Sequence, residues 1–205
     1  MEVITFSGTW RQAAVTLKGN WAKAIGVTLI QWLISAAAQP VPMVGQLAHI
    51  FLIPLSVGLN LYFLMLARMQ QPALETIFVP FNSYGRMLWA GIRMWIFIFL
   101  QWLLLIIPGI VATYRYAMTF YIMLDEPELK ARDAMIKSRE MMYNHKMQLF
   151  GYSILFTLIA IAATVFTLGI GLIWFVPFTQ AFMANYYLQL KSAYELKHPT
   201  VIAGE

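Results

Sequence analysis

The 205-residue chain contains no cysteine and few charged residues. The lack of cysteine excludes disulfides, thiol nucleophiles, iron–sulfur clusters and cysteine zinc sites. Charged residues make up 11% of the chain, whereas they make up roughly a quarter of a typical soluble domain. Hydrophobic residues make up 60%, and the mean hydropathy is +0.67. This composition predicts a polytopic membrane protein.

The residue patterns of conventional catalysis are also missing. The three histidines, His49, His145 and His198, are far apart and form no His-Glu-x-x-His pattern. No Gly-x-Ser-x-Gly motif occurs, and no Asp or Glu falls within an apolar core. We therefore expect no enzyme, no metal and no cofactor. The basic residues that give the net charge of +5 lie beside apolar runs, which favours membrane topology over nucleic-acid binding.

Six apolar segments predict the fold class, an all-α polytopic membrane helical bundle that forms a single domain over residues 1–205. The predicted spans are Trp21–Ala38, Leu47–Leu66, Arg86–Ile107, Ile110–Leu124, Leu149–Phe166 and Leu172–Leu190. The fourth is short, at about 22 Å by helix rise against a hydrocarbon core of about 30 Å. Interfacial amphipathic helices are predicted over residues 9–21 and 127–146, with a weaker one over residues 69–84. In the first of these, Trp10, Ala13, Ala14 and Leu17 share one side.

The loops predict the orientation of the chain in the membrane. The turns Gln39–Gln46, Ile107–Ile110 and Thr167–Gly171 contain no charged residue, whereas the opposite connections are rich in Arg and Lys. The positive-inside rule then places both termini in the cytoplasm. We expect no cleaved signal peptide at the start, so the first span should act as its own insertion signal.

Similar entry sequences precede the first, third and fifth spans. They are Leu17–Trp21, Tyr84–Trp89 and Tyr143–Met147, and each is followed by a predicted hairpin whose turn contains glycine. This layout predicts three related hairpin units, over residues 10–68, 78–125 and 127–190. The alternative is chance similarity among apolar segments.

Arg115 is the principal candidate for a functional residue. It lies about seven residues past Pro108, roughly 10 Å from the outer end of its span, where a cation costs about 2.5 to 3.5 kcal/mol. No acid lies within a turn or two to neutralise it. One interpretation is a fixed charge in a polar cavity that binds a lipid phosphate, a carboxylate or an anionic peptide. The other is a structural cation that snorkels to the interface or bonds carbonyls freed at Pro54 or Pro177.

Other polar residues complete the candidate ligand-binding set. The amides Asn60, Gln101 and Asn185 and the tyrosines Tyr114 and Tyr116 are grouped with Arg115 as candidate ligand-binding residues, and Asn60, Arg115 and Asn185 are predicted to line a hydrophilic path. The alternative is that the amides hold helices together by hydrogen bonds. The basic helix 127–146 likewise has two interpretations, a solvated interfacial face or a binding surface for anionic lipid or a partner protein.

Several longer strings resemble a known family. They are Ile107–Tyr116, Tyr121–Asp125, Ala134–Met142 and Leu168–Pro177. Together they resemble the bacterial integral membrane proteins that share domain of unknown function 975, over about residues 85–190. The resemblance implies a six-span protein of the bacterial cytoplasmic membrane, and it supplies no catalytic residues.

Two functional hypotheses follow. The first is a non-enzymatic multi-pass membrane protein that contacts membrane lipids and binds or transports a lipid, an anionic small molecule or a peptide. The alternative is a membrane scaffold or accessory protein, for example one that protects against membrane-active peptides. An intramembrane enzyme lacks the residues to perform catalysis, and the sequence does not predict an oligomeric state.

Overall fold

The computed structural model describes residues 4–37, 52–104 and 106–198, and these residues form helices and no β-strand. The predicted all-α class is therefore confirmed. In chain order the elements are α1 (Phe6–Leu17), α2 (Trp21–Ala37), α3 (Ile53–Ala67), a 3₁₀ helix (Leu74–Ser83), α4 (Tyr84–Leu104), α5 (Ile106–Arg115), α6 (Thr119–Asp125), α7 (Ala131–Met141), α8 (Lys146–Thr167) and α9 (Leu172–Lys197). The predicted turn at residues 39–46 lies outside the described residues, and the three-hairpin repeat stays a prediction.

Helix α9 lies at the centre of the described bundle. It packs against α1, α2 and α3 and buries an aromatic stripe that includes Phe178, Phe182, Tyr186 and Tyr187. The ring of Phe182 lies 4.8 Å from that of Phe156 in α8 and 5.6 Å from that of Phe6 in α1, measured between centroids. Large aromatic side chains bury much apolar area for each residue. The last predicted span is therefore a core helix over much of its length.

Helix α1 packs on the bundle through a face that includes two threonines. Its start is capped by Thr5, whose Oγ1 accepts a hydrogen bond from the backbone N–H of Gly8. Its buried residues are Thr9, Ala13, Thr16 and Leu17, whereas Trp10 and Ala14 are exposed. The buried face is therefore partly polar, and its threonine hydroxyls contact polar side chains of α9. Thr9 donates to Gln189, and Asn185 donates to Thr16.

The predicted fourth span is two helices rather than one. Helix α5 ends at Arg115, residues 116–118 form a turn, and the seven-residue α6 follows with Met118, Thr119 and Ile122 buried. The turn predicted at residues 107–110 was also wrong, because Pro108 and Gly109 lie in the first turn of α5, where proline is tolerated. A Cβ on Gly109 would lie 2.5 Å from Cγ of Trp102, so glycine lets α5 approach α4 closely.

The predicted helix over residues 127–146 is shorter in the structure. Helix α7 begins at Ala131, with Lys130 as its N-cap. The segment before it is fixed by Arg86, whose Nη2 donates to the carbonyl oxygens of Met123, Glu126 and Leu129. These bonds hold the residues around position 127 in a turn, so the helix begins four residues later than predicted.

Large apolar side chains are exposed on α4 and α8. The most apolar stretch of helix α8, 18 residues long, has a mean hydropathy of 2.2, and only 6% of those residues are buried. On α4, Trp95 and Leu103 are among the exposed residues. Among the described residues α8 alone is long and apolar enough to cross a bilayer, while α2 and α3 are apolar but shorter.

Helix α3 is covered by the 3₁₀ helix at a point where only glycine fits. A Cβ added to Gly58 would lie 1.8 Å from the backbone carbonyl oxygen of Ile77. The backbone, unlike a flexible side chain, cannot move aside without displacing the whole 3₁₀ helix.

We predict that Gly58→Ala lowers the free energy of unfolding by about 1 to 3 kcal/mol, the usual cost of overpacking. The matched control is Gly26→Ala in α2, where an added Cβ meets nothing within 4 Å. That control should be neutral or slightly stabilising, because alanine is a better helix former than glycine. Unfolding of both variants in the same detergent measures the difference, and equal stability would contradict the close approach.

Candidate functional site

Three side chains, from Arg68, Tyr187 and Lys191, meet at the carboxylate of Asp125. We call Arg68, Asp125, Tyr187 and Lys191 the Asp125 cluster. Lys191 Nζ donates to Oδ2 of Asp125 at 2.6 Å, the Tyr187 hydroxyl donates to the same oxygen at 2.9 Å, and Arg68 pairs with Oδ1. The Asp125 side chain is 4% exposed. The cluster therefore ties the end of α3, the end of α6 and the second half of α9 together.

The charge of Asp125 is stabilised by its partners. Burial by itself raises the pKa of this carboxyl, but the hydrogen bonds from Lys191, Arg68 and Tyr187 outweigh burial and leave the pKa below its ordinary value. The carboxylate is thus ionised at neutral pH, with two cations against one anion in the cluster.

Further ties surround the cluster. Lys137 of α7 pairs with Glu126, and Arg86 of α4 binds three carbonyls of the segment between α6 and α7. Lys191 also lies 3.7 Å from Glu195, one helical turn further along α9. The ends of α3, α6 and α9 and the starts of α4 and α7 therefore converge at the same end of the bundle, which we call the charged end.

Arg115 lies at the break between α5 and α6. It is the last residue of α5, where a cation complements the negative end of the helix dipole. Its carbonyl oxygen accepts a hydrogen bond from the buried Ser138 of α7 at 3.0 Å. Its Nε is buried without a hydrogen-bond partner, and no acid among the described residues pairs with it. The cation is therefore not neutralised within the described part of the chain.

The other candidate residues lie apart from Arg115 in the hydrogen-bond network. Asn60 accepts from Tyr121 at 3.4 Å, Asn185 donates to Thr16, and the Tyr114 hydroxyl lies 2.5 Å from Oγ of Ser153. Gln101 and Tyr116 are half-buried. No side-chain hydrogen bond in the described ranges joins two of the six. Asn60 and Asn185 each form a hydrogen bond to a side chain of another helix, which is the arrangement expected if these amides hold helices together.

A groove of about 840 Å³ opens beside α7 and the end of α9. Arg139, Glu140 and Tyr194 are among its lining residues. The Tyr194 hydroxyl donates to Glu140 at 2.8 Å. Burial and this hydrogen bond raise the pKa of Tyr194 to about 12, so the phenol stays protonated at neutral pH.

The described side chains include no group of His, Asp or Glu that could hold a metal ion. Their polar chemistry includes fixed charges and hydrogen-bond donors. Such an arrangement can bind an anion or hold helices in place.

A family comparison matches residues 85–194, more than half of the chain, to the proteins of unknown function of family DUF975. The chain belongs to the DUF975 family. The match includes Asp125, Tyr187 and Lys191 of the Asp125 cluster, whereas Arg68 lies outside it. A search of curated proteins and a search of solved structures gave no significant match.

Sequence reasoning missed the role of Asp125. A signal was present: the ends of the second, fourth and sixth predicted spans carry Arg68, Asp125 and Lys191, and the predicted topology places all three on one side. Opposite charges at the same depth favour pairing there.

We predict that Asp125→Asn destabilises the protein by about 2 kcal/mol, because it removes charged hydrogen bonds and leaves two cations without their anion. The direction in which the stability changes with pH follows from the lowered pKa of Asp125. A carboxyl of this kind stabilises the fold above its unfolded pKa, about 3.9, and loses that contribution as the pH falls through the folded value.

The stability of the wild type should therefore fall more steeply than that of Asp125→Asn as the pH drops below about 4. Unfolding measured across this range checks the slope. Glu128→Gln is the matched control, since Glu128 is exposed and makes no ion pair with the described residues. An Asp125→Asn slope equal to that of the wild type and the control would argue against the cluster.

Proposed function

We propose that the chain is a non-enzymatic, multi-pass protein of the bacterial cytoplasmic membrane that binds an anionic ligand at Arg115. The ligand class is a lipid, an anionic small molecule or a peptide. In this proposal six segments cross the membrane as three hairpins, with both termini in the cytoplasm. The fourth crossing is the broken pair α5 and α6.

The membrane placement is supported by the division between apolar and charged surfaces. A 22-residue helix with a mean hydropathy of 2.2 and 6% burial would expose a large apolar surface to water, which soluble proteins avoid. At 1.5 Å per residue, a helix of this length matches a hydrocarbon core of about 30 Å. The ion pairs gather at one end of the bundle, as expected if that end faces an aqueous compartment rich in basic loops.

The single observation that carries ligand binding is the un-neutralised Arg115 at a helix break. Interrupted helices form the binding sites of many transporters, because helix termini and unwound backbone there supply polar groups inside the membrane. A guanidinium with a buried Nε and no acid partner among the described residues has unused donors for a phosphate or carboxylate. Binding an anion would offset the cost of holding this cation within a span.

The alternative function, a scaffold or accessory protein, is supported by α7. Its inner face, which includes Ala134 and Ser138, is buried, while Arg132, Asp133 and Ile136 are exposed. A charged helix anchored in this way can present its outer face to a partner protein.

The first prediction tests the orientation by cysteine labelling, for which the cysteine-free chain is suited. Ile170→Cys, in the exposed turn between α8 and α9, should react with an impermeant maleimide on intact cells. Asp133→Cys, exposed on α7, should react only after the cells are opened. Labelling of Asp133→Cys in intact cells, or protection of Ile170→Cys, would reverse the orientation.

The second prediction concerns Arg115→Gln. If Arg115 binds an anion, this variant should keep its thermal stability in detergent but lose the anionic lipid or other ligand that co-purifies with the wild type, as measured by mass spectrometry. Arg93→Gln on α4 is the matched control and should keep that ligand. A purely structural Arg115 would instead cost roughly 1.5 to 3 kcal/mol of stability with the bound lipids unchanged, and that outcome contradicts the proposed site.

A further inference from the structure

The groove beside α7 and α9 is separate from the Arg115 site, since Arg115 is not among its lining residues. Its lining includes the end of α7 and the last turns of α9, from Leu190 to His198. Helix α8, the apolar helix that supports the membrane placement, begins at Lys146, directly after the lining residue His145. The groove therefore lies where the apolar part of the bundle gives way to its charged end.

The groove carries positive charge, and its basic residues form no ion pair among the described residues. Arg139 and Lys197 line it, are exposed, and make no ion pair with a described acid. This distinguishes them from the basic residues that are already engaged, which are Arg68, Arg86, Lys137 and Lys191. The one acid in the lining, Glu140, accepts a hydrogen bond from Tyr194.

The groove is also partly apolar. Met141 and Leu190 belong to its lining and are almost fully buried, so they close it from the side of the core. A basic rim over an apolar floor matches a ligand that carries a negative charge next to a hydrocarbon or glycerol part. A phospholipid at the membrane surface has this chemistry, and basic residues at headgroup depth attract it.

We propose that this groove binds the phosphate of an anionic phospholipid at the cytoplasmic face, with Arg139 and Lys197 as its cationic contacts. This inference rests on the membrane placement of the proposed function, but it does not depend on a ligand at Arg115. Glu140 opposes the negative charge of the lipid and so limits the affinity.

The test uses the full chain purified in detergent, with calorimetry as the measurement. The probes are a short-chain phosphatidylglycerol, a phosphatidylcholine with the same chains, and inorganic phosphate. The wild type should bind phosphatidylglycerol more tightly than phosphatidylcholine. The double variant Arg139→Gln/Lys197→Gln should weaken phosphatidylglycerol binding by about 25-fold, since each basic residue at the surface contributes roughly fivefold.

Two further variants keep the inference falsifiable. Arg132→Gln/Lys130→Gln is the matched control, because it removes the same charge from exposed residues that do not line the groove. It should leave binding within about twofold of the wild type, as expected for charges outside the contact. Glu140→Gln should strengthen phosphatidylglycerol binding by roughly fivefold, an effect that misfolding cannot produce.

Equal binding of the two lipids, equal loss in both double variants, or weaker binding by Glu140→Gln would overturn the inference. Displacement of the lipid by inorganic phosphate at similar concentration would also overturn it, since the site would then serve a free anion. These results are distinct from a failure of the proposed function, which shows in cysteine labelling and in the ligand lost from Arg115→Gln.

Discussion

The structure depends on one buried carboxylate with two cations. Asp125 ends the short α6 and binds Arg68 from the end of α3 together with Tyr187 and Lys191 of the central α9. Removing a charge from water is expensive, and the cost is recovered only where partners and hydrogen bonds satisfy it. Here the partners of Asp125 come from other helices, Arg68 from the end of α3 and Tyr187 and Lys191 from α9. The ion pairs therefore fix how these segments meet, besides stabilising them.

The basic residues at the two candidate sites differ from those that hold the charged end together. Arg68, Arg86, Lys137 and Lys191 are engaged by acids or carbonyls and hold the charged end together. Arg115, Arg139 and Lys197 have no acid partner among the described residues. The excess of basic residues predicts the topology from the sequence. In the structure some of these residues hold helices together, and others are able to bind an anion. The second group is the basis of both binding proposals.

Much of the helical layout was predictable because apolar length and glycine or proline breaks mark helices clearly. The end of α8 shows this, since Leu168 and Gly169 adopt positive φ angles where the turn was expected. The break after Arg115 was not predictable, because Tyr116–Met118 contains neither glycine nor proline. The start of α7 was missed for a different reason. Arg86, far away in sequence, binds the carbonyls before it, and a local pattern carries no trace of such a contact.

The candidate site was predictable only in part. Arg115 was identified from its charge in an apolar segment, whereas its grouping with Asn60 and Asn185 assumed that polar groups in spans face one another. In the structure those amides bond Tyr121 and Thr16 on other helices. Asp125 escaped notice because an acid at a helix end is usually a solvated cap, although the predicted topology placed Arg68 and Lys191 on the same side of the membrane.

The most direct test of this account is a double-mutant cycle on Asp125 and Lys191. The free energy of unfolding in mixed detergent micelles would be measured for the wild type, Asp125→Ala, Lys191→Ala and the double variant. Residues in one ion-pair network show coupling of about 0.5 to 3 kcal/mol, and we expect a favourable value in the upper half of that range. The same cycle on Asp125 and Lys146, which make no ion pair, gives the baseline. Additive effects of Asp125 and Lys191, within about 0.5 kcal/mol, would contradict the claim that this carboxylate holds the bundle together.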